Sequence, residues 1–156
     1  MLPDGFIDLV FHYGQKPKLV IDGKEITKPS NFLGGHLVSS ALLHFSGELK
    51  MFGIKFYPWA TASIYKMPAY ELNNLRIPVS EILGGWVNEY QNLMMQELNM
   101  GNYLWVVQQL EKVLQAKLFV PSNHQKLIKS CFEKIYFSQG KVSVEVIGLE
   151  TGYSSR

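Results

Sequence analysis

The sequence predicts an α+β fold: a small antiparallel β-sheet or partial, cupin-like barrel, then a three-helix segment, then the opening of a helix-turn-helix. Three observations predict it. Up to Pro78 the apolar residues fall in short β-branched and aromatic runs bounded by Gly, Pro and Asn. From Val79 the apolar period lengthens from two residues to about 3.6. The last stretch places two helix starts on either side of Gly152. These changes divide the chain into a β-rich region 1–78, a helical segment 79–140 and a short C-terminal piece 141–156.

The expected strands are Phe6–Tyr13, Lys18–Ile21, His36–Phe45 and Leu49–Tyr57. Asp22-Gly23, just after the second run, is a hairpin signal, because a tight primed turn needs positive φ at both central residues. Pro58 stops the last strand, and Ala60–Lys66 has room for one or two helical turns before Pro68.

The first long helix stacks Val79, Ile82, Leu83, Trp86, Val87, Tyr90, Leu93, Met94 and Leu98 on one face. Gly101-Asn102 ends it and caps the next, whose face is Tyr103, Val106, Val107, Leu110, Val113, Leu114 and Leu118. After Pro121, Ser122 and Gln125 have capping-box spacing. The face of that third helix is Leu127, Ile128, Cys131, Phe132, Ile135 and Tyr136, and Gly140 closes it. In the tail Ser143 caps a short helix carrying Val144, Ile147 and Leu149, Gly152 supplies a turn, and Ser154 caps a further helix.

Composition narrows the function classes. Apolar residues make up 47% and charged ones 18% of 156 residues, which excludes a disordered chain and allows one well-packed core. The net charge is +2, so there is no excess of cations to drive nucleic-acid binding by phosphate neutralisation. The lone Cys131 sits in an apolar helical pattern and reads as a small core residue in a reducing compartment, which places the protein in the cytoplasm. No run approaches the ~20 apolar residues of a membrane span. There is no Gly-x-Ser-x-Gly elbow and no phosphate loop, and Glu71, Glu81 and Glu89 are scattered along turns and helices; the chain reads as a non-enzyme with no cofactor.

The stretch Leu2-Pro3-Asp4-Gly5, continuing through Asp8-Leu9-Val10-Phe11, resembles a subgroup of the AraC/XylS family of transcription regulators. So do Phe32-Leu33-Gly34-Gly35, the run Met51–Pro58, Ile77-Pro78-Val79 and Leu83-Gly84, and near the other end Ser138–Glu145 and Gly152–Arg156. The resemblance implies a β-rich sensing domain, a helical linker that dimerises, and helix-turn-helix units that control transcription. It implies a homodimer, a small-molecule effector, and DNA as partner of the intact protein rather than of this chain. The chain departs from the family pattern by ending at Ser154, Ser155 and Arg156, where the first recognition helix begins. It also lacks the ~40 residues that usually precede the Pro-Asp-Gly segment in that family.

The candidate effector residues are Asp8, His12, Ser40, His44, Phe52 and Phe56. Alternation puts Asp8 and His12 on one face of their strand, and His36, Ser40 and His44 on one face of another. A few polar groups in an apolar cavity suit a small-molecule site, with the aromatics as walls; the same aromatics could equally fill the interior of the sheet domain. A metal is not expected, because the histidine spacing matches no ligand motif and aliphatic residues share those faces. The competing readings are a stand-alone cupin-like binding module and a metal-dependent cupin enzyme. For association the candidates are Leu104 and Trp105, which fall off the apolar face of their helix among Gln108, Gln109 and Lys112; cover by the sheet domain of the same chain is the alternative for Trp105.

Overall fold

The structure, a computed structural model, describes residues 6–16, 18–21, 24–26, 29–36, 38, 42–44, 46–57, 59–60, 69–117, 120 and 122–152. Its contacts divide the chain into two units, Met1–Leu118 and Phe119–Arg156.

In the first unit four strands form an antiparallel sheet. They are β1 (Ile7–His12), β4 (Asn31–Gly34), β6 (Met51–Phe56) and β7 (Arg76–Pro78), in the order β6-β1-β4-β7. The sheet is open, with β6 and β7 at its edges. Period-two alternation in β1 sends Ile7, Leu9 and Phe11 to one face, where all three are fully buried. The register sets Phe56, Ile54 and Phe52 of β6 opposite them, and Leu33 and Asn31 of β4 opposite Leu9 and Phe11. Directly opposed residues share a face, so these side chains form one layer. A second, three-stranded sheet runs β3-β2-β5, from β2 (Lys18–Ile21), β3 (Lys24–Ile26) and β5 (Leu42–His44). Ile21 pairs with Lys24, and the turn expected at Asp22-Gly23 lies outside the described residues.

The α+β class expected from the sequence is the class found. The strands differ in detail. Of the expected run His36–Phe45, the described part is a strand only over Leu42–His44, and His36 lies outside any strand. β3, β4 and β7 carry Lys, Asn, Gly, Arg or Pro within three or four residues, and such strands hold through pairing and burial rather than propensity. Pro78 is tolerated because β7 is an edge. The helical turns expected over Ala60–Lys66 fall almost wholly outside the described residues. Between β6 and β7 the described residues include a 3-10 turn over Ala69–Leu72. Gly35 lies so close to the Leu72 carbonyl that no Cβ fits there, which ties the exit of β4 to this turn.

Three helices follow. The expected first helix is two, α1 (Val79–Leu83) and α2 (Gly85–Asn99), broken at Gly84, whose φ of 71° is left-handed. α3 spans Tyr103–Lys117. Their inward residues Val79, Ile82, Leu83, Val87, Met94, Leu98, Val106 and Leu110 join Ile7, Leu9, Phe11, Leu33, Phe56 and Leu72 in a single core. Burying each such side chain contributes about 1.5–3 kcal/mol before conformational entropy is set against it. Trp105 is half-buried and packs against this core, so the expectation that it lies off the core-facing side of its helix does not hold. Leu104 beside it is 71% exposed.

The second unit consists of α4 (Asn123–Phe137) and α5 (Val144–Thr151). Ser122 caps α4 with the full capping box: its hydroxyl accepts from the Gln125 amide at 3.2 Å, and the Gln125 side chain accepts from the Ser122 amide at 2.7 Å. Gln139 and Gly140, both at positive φ, turn the chain, and Ser143 caps α5 by accepting from the Val146 amide. Lys134 of α4 forms an ion pair with Glu150 of α5. Gly152 ends α5 in the left-handed conformation. Ser154, Ser155 and Arg156 lie outside the described residues. No described helix is long and apolar enough to cross a membrane.

Candidate functional site

The face of the four-stranded sheet away from the core cluster mixes charged and apolar side chains, and Val10 on it is buried. Alternation in β1 puts Asp8, Val10 and His12 there, and the register adds Lys55, Gly53 and Met51 from β6 and Gly34 and Phe32 from β4. Opposite Gly34 and Phe32 stand Arg76 and Pro78 of β7. One rung across the sheet therefore reads Lys55, Asp8, Gly34, Arg76: cation, anion, no side chain, cation.

Phe32 lies at the centre of this face. The guanidinium carbon of Arg76 sits 4.9 Å from its ring centroid, within cation–π range. The His12 ring lies 6.0 Å away on another side, tilted by 31°. His12 Nδ1 is 2.7 Å from the Ser30 carbonyl oxygen. A carbonyl can only accept, so Nδ1 carries the proton and Nε2 is the nitrogen left for a ligand. The His12 amide donates to Oδ1 of Asn31 at 3.1 Å, and Asn31 is the one polar residue among the buried side chains described.

Arg76 is half-buried, and its Nε is buried with no hydrogen-bond acceptor among the described residues. Burial pulls the guanidinium below its ordinary value, and the charge of Asp8 pulls it back up. At the end of β1, burial and then the Tyr103 hydroxyl raise the Tyr13 phenol above 10.0, so the strand that carries Asp8 and His12 continues into a contact with the first residue of α3.

The residues expected from sequence are divided by this geometry. Asp8 and His12 share this outer face. Phe52 and Phe56 belong to the opposite, core-facing layer, Phe56 buried and Phe52 packed against the cluster, so they do not wall a cavity with Asp8 and His12. The reason is register: Phe52 stands opposite Phe11 and Phe56 opposite Ile7, not opposite Asp8. His44 is exposed on β5 of the other sheet, and Ser40 lies outside the described residues. Sequence reading missed Arg76 and Phe32. The available signal was a lone arginine in Leu75-Arg76-Ile77-Pro78, directly ahead of the first helix.

Among the described residues no three His, Cys, Asp or Glu side chains come together as a metal site. Comparison with curated proteins and with solved structures gives no match. A family model described as a domain of unknown function (DUF6597) matches residues 1–78. That span is half of the chain and contains every strand described above, and the chain belongs to the DUF6597 family.

Proposed function

We propose that this chain is the effector-sensing and dimerisation portion of an AraC-type DNA-binding transcription regulator, working as a homodimer in the cytoplasm and not as an enzyme. The observation that carries the reading is α5: an eight-residue helix opened by the Ser143 cap and closed by a left-handed Gly152. A short capped helix followed by a glycine turn is the first half of a helix-turn-helix, whose second helix enters the major groove with its N-terminal residues on the base edges. In this reading Ser154, Ser155 and Arg156 are the first residues of that second helix.

Charge distribution supports the same division of labour. Residues 119–156 carry five Lys and Arg against three Asp and Glu, and residues 1–118 carry ten against ten, so all of the net +2 belongs to the second unit. Cation excess next to a helix-turn-helix is the electrostatic footprint of a DNA reader. The outer face of the sheet, with Asp8, His12 and Arg76 around Phe32, is the effector site of this reading.

Chromatin immunoprecipitation of the tagged protein from its host tests the assignment. Discrete peaks upstream of a small set of genes, shifting in strength with growth conditions, are expected. A profile indistinguishable from the untagged strain would remove transcription control from the reading.

A further inference from the structure

In an antiparallel ladder alternate residues turn both their N–H and their C=O toward the same neighbour, so one measured bond fixes the direction of every other residue. The Tyr13 amide donates to the Lys50 carbonyl at 3.0 Å, one step beyond the His12–Met51 pair. Lys50, Phe52, Ile54 and Phe56 therefore face β1, whereas Met51 and Gly53 turn their backbone groups to the outer edge of the sheet. No described group hydrogen-bonds to them there. Met51 is 47% exposed, and Gly53 is exposed as well. Nothing within its own chain requires Gly53 to be glycine: its φ is not positive, and an added Cβ would meet only the Leu9 carbonyl oxygen, at an ordinary 3.5 Å. Glycine inside a strand weakens it, and it often marks the place where another backbone comes close.

We propose that the outer edge of β6 pairs with β6 of a second copy of this chain, antiparallel and two-fold about Phe52. This pairing deepens the homodimer reading and rests on it, adding a sheet contact to the one at Leu104. In this register Met51 of each chain stands opposite Gly53 of the other, and each such pair exchanges both of its N–H···O bonds. The half-exposed Met51 side chain then covers the bare backbone of the opposing glycine. Phe52 meets its own copy in a non-hydrogen-bonded pair, where cross-strand side chains stand closest and aromatic pairs stabilise. Lys50 falls opposite Ile54 and Lys55 opposite Leu49, so no like charges oppose each other. At the far edge β7 is three residues long and ends on Pro78, which closes the joined sheet at the dimer instead of continuing it as a fibre.

Residue-resolved hydrogen exchange on the full chain, followed against protein concentration, tests the pairing. In the dilute chain the amides should alternate, with Met51 and Gly53 fast and Phe52 and Ile54, which donate to β1, slow. As concentration rises Met51 and Gly53 are expected to slow, by about tenfold per hundredfold rise once pairs predominate, because the monomer fraction then falls as the square root. Gly53→Pro removes an outward N–H, a change that an edge strand tolerates, and Met51→Lys sets a charge beside the axis in place of a half-exposed side chain. Both variants are expected to keep the slow Phe52 and Ile54 amides, which reports an intact sheet, and to lose the dependence on concentration. Leu104→Glu is expected to move the same slowing to higher concentration without changing which amides slow. Slow exchange of Met51 and Gly53 already in the dilute chain, unchanged on concentrating it, overturns the proposal by showing that the chain covers its own edge. Undiminished slowing at residue 51 in both variants overturns it too. Association in which Met51 and Gly53 stay fast overturns it while leaving the Leu104 contact standing, whereas a chain that stays monomeric removes the homodimer reading along with it. The chromatin measurement is read separately from all of these.

Discussion

At the scale of single residues, one buried amide decides how β1 enters the outer face. Asn31 stands opposite Phe11 and, at 7% exposure, spends its carbonyl oxygen on the His12 amide. Asn31→Leu keeps the branching and the number of heavy atoms, removes the acceptor and leaves that N–H without it. A loss of about 1–3 kcal/mol in urea unfolding, at unchanged slope, is expected. A loss below roughly 0.5 kcal/mol, the range of neutral surface changes, would show that the amide finds another acceptor. Asp8 and His12 could be read from sequence because strand alternation is a local property. The separation of Phe52 and Phe56 from them could not, because it depends on which residue of β6 meets which residue of β1. Arg76 and Phe32 escaped for a related reason. Their strands are three and four residues long, and their meeting is made only by the β4–β7 pairing.

At the scale of elements, caps and helical periods were legible and the ends of strands were not. Ser122, Gln125 and Ser143 act where their spacing said, since a cap is chemistry between residues two or three apart. The break at Gly84 shows the limit: the apolar stripe runs straight through it, and only the left-handed φ divides the helix. The same limit explains Trp105, which a helical wheel drawn on one apolar stripe puts outside although the core extends to it. Two substitutions one residue apart in α3 now have different expectations. Trp105→Ala removes a side chain packed on the core and should cost about 2–4 kcal/mol in thermal or urea unfolding. Leu104→Glu alters a side chain that is mostly exposed, so it should leave stability within about 0.5 kcal/mol and shift a dimer to monomer in sedimentation equilibrium. Equal sedimentation of the Leu104→Glu chain and the unmodified chain would take the dimer contact away from this surface.

At the scale of the whole molecule, the two units differ in how much they bury. Among the described residues, fourteen fully or nearly fully buried side chains make the core cluster, and these belong to residues 7–110. α4 and α5 bring no side chain to that degree of burial. Phe137, Val144 and Leu149 are among their most exposed apolar residues. An amphipathic pattern gives each of these helices an apolar stripe without saying which element receives it, so the difference is invisible in the sequence. What holds α4 and α5 is then mostly local: two serine caps, a left-handed glycine and the Lys134–Glu150 pair. Caps contribute about 0.5–2 kcal/mol each and half-exposed ion pairs less than about 1 kcal/mol. A helix of fifteen residues is marginal in water without tertiary burial, and one of eight is less stable still. Hydrogen exchange on the full chain should therefore be graded, with amides of 123–152 opening locally at a free energy well below that of global unfolding. Peptides covering α4 and α5 should exchange at least about a hundredfold faster, relative to their unfolded rates, than the peptide covering β1. Equal protection in the two units would mean that α4 and α5 bury far more than their exposed stripes indicate. Raising the protein concentration then separates the causes, because protection that grows with concentration comes from association of these stripes between chains, whereas protection that stays constant comes from within one chain.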